Sequence, residues 1–106
     1  MIIPDENSIP LIEDKQRELF VITTEECGEL SQILAKTQRF GLTSISPYSG
    51  KTNHQLLIEE LGDLQAMINL FTRFGLVSKD DISDRVVHKL VKLQTYSNLF
   101  KEETND

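Results

Sequence analysis

Residues 54–74 read HQLLIEELGDLQAMINLFTRF, and the spacing of their apolar positions decides the fold. Taking Glu60 as the reference direction and turning about 100° per residue, Leu56, Leu57, Leu64, Met67 and Phe71 all fall within about 60° of it. That is the period of an amphipathic α-helix. The stripe has an unusual centre, because Glu60 and Asp63 occupy positions that the pattern assigns to the buried face.

Working outward, the helical pattern over 53–74 stops at Gly75, a natural residue just past a helix end. Ser78 followed by Asp81 resembles a capping box, so a further helix is expected from there to about Lys101. On the other side, GLTSISPYSGKTN (41–53) gathers turn-forming residues and reads as a long loop. A first helix is expected over residues 9–39, with Asn7 or Ser8 as its cap and Pro10 in its first turn. No strand alternation and no solenoid repeat is present. The expectation is one all-α domain over residues 1–106, with 1–8 and 102–106 as flexible ends. Its helices would form an antiparallel bundle, brought to four helices by a second subunit.

A chain of 106 residues buries a small core for its surface, which makes a partner copy plausible. The net charge of −6 repels nucleic-acid backbones and anionic membranes, so neither is expected as a partner. No apolar run has the length of a membrane span, and MIIPDENS lacks the basic and apolar regions of a signal peptide. A cytoplasmic protein is expected. Cys27, the one cysteine, has no intramolecular partner and borders an apolar stripe, which suggests a buried packing role.

The first helix repeats the design of the second. Around Glu26, the residues Leu19, Ile22, Glu29, Leu30 and Ile33 lie within about 60°. Each helix therefore carries a carboxylate pair at i, i+3 in the face that should be buried. Four such groups withdrawn from water lose several kcal/mol of solvation apiece and repel one another. The stripes hold no basic residue between Ile22 and Ile33 or between Leu56 and Phe71 that could neutralise them. Hard divalent cations prefer oxygen ligands and are commonly shared between carboxylates and phosphates, so the expectation is a Mg²⁺ site, with Mn²⁺ as a substitute. A single ExxE or ExxD is weak evidence, since acids on helices are usually solvated; two pairs centred on apolar stripes carry more weight. Glu25 and Glu59 sit at the stripe borders.

EECGEL (25–30) followed by EELGDL (59–64) resembles the EExxE…ExxD signature of the MazG-type, all-α nucleoside triphosphate pyrophosphohydrolases. AKTQRFG (35–41) is similar to the end of the first motif helix in small phage and bacterial members, and KLVKLQTY (89–96) resembles their last helix. The stretch between Glu29 and Glu60 is on the long side for the family. The resemblance implies hydrolysis of a (deoxy)nucleoside triphosphate to the monophosphate and pyrophosphate, with Mg²⁺ held by Glu26, Glu29, Glu60 and Asp63. Such displacements need charge neutralisation and an oriented water, which carboxylate-bound cations provide. Glu25, or a metal ligand in a double role, would accept the proton from that water. A homodimer or homotetramer would complete the bundle.

An acidic protein must still attract a polyanion. On the last helix, Ile82, Val86, Leu90, Leu93 and Phe100 form the core stripe, with Arg85, Lys89, Lys92 and Tyr96 clustered on an adjoining face. The resemblance assigns Lys89, Lys92 and Tyr96 to phosphate binding, and helical phase adds Arg85. A solvated basic face is the alternative. Lys36 and Arg39 are further candidates, and in the loop Tyr48 could stack on a base and Lys51 meet phosphate.

Other motifs fail on their own terms. SGKT (49–52) lacks the Walker glycine, since Ile45 stands in its place, and lacks a preceding strand. Neither histidine belongs to a Glu-x-x-His di-iron motif, because Lys51 precedes His54 and Arg85 precedes His88 by three residues. Zinc is unsupported for want of clustered cysteine or histidine, and both histidines are expected at the surface. Two other functions remain open: phosphoribosyl-ATP pyrophosphohydrolysis, and a non-catalytic helical interaction module.

Overall fold

The computed structural model describes residues 13–102, which form three helices in the order α1 (Asp14–Phe40), α2 (Asn53–Arg73) and α3 (Lys79–Tyr96). No strand occurs among the described residues; one antiparallel bridge, between Ile45 and Thr52, interrupts the helical pattern. The all-α expectation therefore holds. The expected ends at 1–8 and the cap at Asn7 or Ser8 lie outside the described residues, as do 103–106.

The expected start of the first helix over 9–12, with Pro10 in its first turn, lies outside the described residues. Glu13 is extended, with φ −60° and ψ 156°, and its backbone N–H donates to Gln16 Oε1 at 3.3 Å, so the first turn opens at Asp14. Mid-helix hydroxyls are satisfied locally: Thr23 and Thr37 donate to the carbonyls of Leu19 and Ile33, each at 2.7 Å. At the far end Gly41 adopts φ 85°, and its N–H donates to the Thr37 carbonyl at 2.8 Å.

The second helix starts with a capping box that the sequence reading passed over. Thr52 Oγ1 accepts from the Gln55 N–H at 3.1 Å, while Gln55 Oε1 accepts from the Thr52 N–H at 2.9 Å. It ends in a Schellman arrangement, with Leu76 N–H donating to the Phe71 carbonyl, Gly75 N–H to that of Thr72, and Gly75 at φ 74°. The third helix opens as expected, Ser78 Oγ accepting from the Asp81 N–H at 3.4 Å. It closes at Tyr96, short of Lys101, where Ser97 turns extended; the Ser97 N–H at 3.0 Å and its hydroxyl at 2.7 Å both donate to the Leu93 carbonyl.

The chain divides into two compact units, Met1–Leu70 and Phe71–Asp106. Within the first, contacts run in opposite directions along α1 and α2. Asn53 Nδ2 donates to the Gly41 carbonyl at 2.9 Å, Lys36 and Leu56 line one cleft, Glu29 and Glu60 share it, and Glu26 meets Asp63. The two helices are thus an antiparallel pair. Its best-buried apolar residues are Leu19 and Ile33, each 4% exposed, and Met67 at 9%, all on the predicted stripes. Ile22, Leu30, Leu56, Leu57, Leu64 and Phe71 are half-buried.

Two expectations about burial are corrected. Cys27 is exposed, since one step along from Glu26 turns it about 100° away from the buried direction. In the second unit α3 buries no residue: Ile82, Val86, Leu90 and Phe100 of its expected core stripe are exposed and Leu93 is half-buried. His54 and His88 lie at the surface, as expected.

Candidate metal centre

Glu26 on α1 and Glu60 and Asp63 on α2 each bring a carboxylate oxygen into one group, with these atoms all within 4.8 Å of one another. The i, i+3 spacing on α2 places two acids on one face, and antiparallel pairing sets Glu26 of α1 opposite them. Glu26 and Glu60 are half-buried and Asp63 is exposed. The site thus has a shielded side and an open side.

Its electrostatics are those of a crowded anionic pocket. Burial is the main cause that raises the Glu60 carboxyl to about 7, followed by the charge of Glu29, hydrogen bonding with Glu29, and the charges of Glu26 and Asp63. Glu26 is raised for the same leading reason, then by Glu29, Asp63 and Glu25. Glu29 bears on both groups but is exposed and stands outside the group of three; with Asp63 exposed as well, two of the four acids expected in the buried face lie at the surface. Glu25 acts on Glu26 alone, from an exposed position on the next face.

Whether these residues suit a cation is tested by their unused oxygens. Glu26 Oε2 and Glu60 Oε2 are buried and have no hydrogen-bond partner. Buried polar atoms are nearly always partnered, so two orphaned carboxylate oxygens on facing helices are compatible with a set of cation ligands. An all-oxygen set at this spacing suits Mg²⁺ or Mn²⁺ and does not suit zinc, which favours nitrogen and sulfur. Acidic groups without a metal are common; the two sealed, unpartnered oxygens are what set this cluster apart.

Next to the carboxylates lies a cleft of about 330 Å³ lined by Glu29, Gln32, Ile33, Lys36, Leu56 and Glu60. Lys36, one of the predicted phosphate contacts, is therefore part of the site's wall. Arg39 sits farther along α1, its guanidinium carbon 5.0 Å from the centroid of the Phe40 ring. Lys51 is committed elsewhere, in an ion pair with Glu59. Arg85, Lys89, Lys92 and Tyr96 are exposed on α3 in the second unit, where Arg85 and Lys89 flank Ile82, Val86 and Leu90.

Two contributors escaped the sequence reading. Gln32 lines the cleft, and its signal was the i+3 position from Glu29. Asn53 is buried and ties the loop to α1 through Gly41; a polar residue at a helix start resembles any cap and gave no hint of that role. Comparison with protein-family models, with curated proteins and with solved structures finds no match to this chain.

Proposed function

We propose that the protein is a Mg²⁺-dependent nucleoside triphosphate pyrophosphohydrolase, converting a (deoxy)nucleoside triphosphate and water to the monophosphate and pyrophosphate. The observation that carries this reading is the meeting of Glu26, Glu60 and Asp63 from two helices, with the inner oxygens of Glu26 and Glu60 buried and unpartnered. Its motifs resemble those of the MazG-type enzymes.

Glu26, Glu29, Glu60 and Asp63 would hold the cation, Glu29 completing the group through its contact with Glu26 and Glu60. Bound there, the cation offsets the charge of the phosphates and lowers the pKa of water. The remaining work falls to the chain. Protonation, which relieves the crowding of the metal-free acids, gives way to metal ligation, so the protein releases protons as it loads. Lys36, on the wall of the same cleft, supplies a positive charge for the phosphate chain. Glu25 is exposed beside Glu26 and is the candidate to accept the proton of the attacking water.

The resemblance implies phosphate contacts for Lys89, Lys92 and Tyr96 of α3, helical phase adds Arg85 on the same helix, and Arg39 at the end of α1 is a further candidate cation. A homodimer or homotetramer belongs to the same reading; the exposed Ile82, Val86 and Leu90 supply apolar surface for it. The experiment is pyrophosphate release from a panel of nucleotides, phosphoribosyl-ATP among them, with Mg²⁺ or with a chelator. Release from at least one nucleoside triphosphate that needs Mg²⁺, and falls by at least about 10²-fold in Glu60→Gln, is the expected result. Preference for phosphoribosyl-ATP would move the substrate, and full activity in Glu60→Gln would refute the site.

A further inference from the structure

The segment between α1 and α2 builds a second cleft beside the acidic one. It has a volume of about 280 Å³, and its walls include Phe40, Ile45, Pro47, Tyr48 and Leu56. Lys36 and Leu56 line both clefts, so the two adjoin, with the lysine at their junction. From one end to the other the surface runs from carboxylates, through a cation, to an apolar and aromatic wall. A nucleoside triphosphate presents the matching sequence of groups: chelating phosphates, then a flat heteroaromatic ring.

The wall is already built. Ser46 N–H donates to the Lys51 carbonyl at 2.8 Å, Gly50 N–H to that of Ser46 at 2.9 Å, and Asn53 N–H to that of Ser44 at 2.9 Å. Ser46 Oγ accepts from the N–H groups of Tyr48 and Ser49, and Lys51 pairs with Glu59 on α2. A surface ordered in advance spares the ligand the entropic cost of ordering it. On this braced turn Tyr48 is 97% exposed, so its ring has essentially no packing in the chain. Phe40 is likewise exposed at the same cleft.

We propose that this cleft is the base subsite of the substrate, with Tyr48 and Phe40 as stacking surfaces and Ile45 as an apolar wall. The proposal rests on the reading that triphosphate lies at the carboxylates. Of the polar groups in the cleft, Asn53 Nδ2 and Ser46 Oγ are already engaged within the loop. With those two atoms engaged, the π faces and the apolar wall, which serve every base, carry most of the recognition.

The test is calorimetric titration, with Mg²⁺ present, of wild type, Tyr48→Ala and Phe40→Ala. The ligands are inorganic tripolyphosphate and the four α,β-imido deoxynucleoside triphosphates, which resist cleavage at the scissile position. Wild type should bind tripolyphosphate, and bind each nucleotide at least about tenfold more tightly, with the four bases within about tenfold of one another. Each alanine variant should lose most of that increment while tripolyphosphate binding stays unchanged, which also shows that the variant is folded. Nucleotides no tighter than tripolyphosphate, variants that weaken both alike, or one base preferred by about a thousandfold would overturn the subsite while leaving the carboxylate reading intact. Failure of tripolyphosphate to bind wild type would instead remove the carboxylate reading, and this proposal with it.

Discussion

Glu60 shows the logic of the site in one side chain. Its carboxyl is raised to about 7, chiefly by burial and then by Glu29, so between pH 4.5 and about 7 the folded protein holds a proton that the unfolded chain has already lost. Stability of the metal-free protein from this group is present at low pH and declines as pH rises through that window. Thermal melts in chelator should therefore show a falling midpoint from pH 5 to pH 8, and Glu60→Gln, which keeps the shape and removes the charge, should flatten the decline. A midpoint that rises over this range in wild type would show that the carboxylate is not strained. Mg²⁺ should reverse the trend, protecting wild type most at pH 8, where the ligands are ionised.

This residue was legible in sequence because phase alone places Glu26, Glu60 and Asp63 on apolar stripes. The nearness of Glu29 to both Glu26 and Glu60 was legible as well, from its i+3 position, but its exposure was not. Burial of particular atoms was not legible. Periodicity ranks directions on a helix, whereas the sealing of Glu26 Oε2 and Glu60 Oε2 depends on how closely two helices approach. Cys27 illustrates the same limit: a border position can fall on either side, and this one faces out.

At the scale of the element, helix ends obey local chemistry more closely than hydrophobic pattern. The third helix stops at Ser97 although apolar residues continue at Leu99 and Phe100: Ser97 is extended, and its N–H and its hydroxyl both donate to the Leu93 carbonyl, which closes the last turn. The second begins at the Thr52–Gln55 box, a T-x-x-Q signal visible in the sequence and overlooked beside the turn residues around it. Thr52→Ala should cost about 1 kcal/mol in denaturant melts, since it unpairs the helix start and loosens the loop that Thr52 bridges. Gly28 lies inside α1, exposed, with nothing within 4 Å of an added Cβ. Gly28→Ala should raise stability by about 0.5–1 kcal/mol, the helix-propensity gain. A loss instead would show that another surface approaches the backbone there.

For the whole molecule, the open question is what covers α3. A helix that carries Ile82, Val86, Leu90 and Val91 in exposed positions and buries none of its residues has apolar surface to place. A periodic stripe announces that a face will be covered and is silent on the partner. If a second copy covers it, sedimentation equilibrium should give a dimer or tetramer, and Val86→Asp should shift the protein toward monomer. A monomeric wild type would refute the oligomer.

The central claim is that acids of two helices form one cation site, and calorimetric titration of Mg²⁺ at pH 7, repeated in buffers of different ionisation heat, tests it most directly. The account predicts saturable binding with release of protons in wild type, and loss of both in a Glu26→Gln, Glu60→Gln double variant that keeps its helical circular dichroism. Binding that is absent from wild type, or that survives unchanged in the double variant, would contradict it.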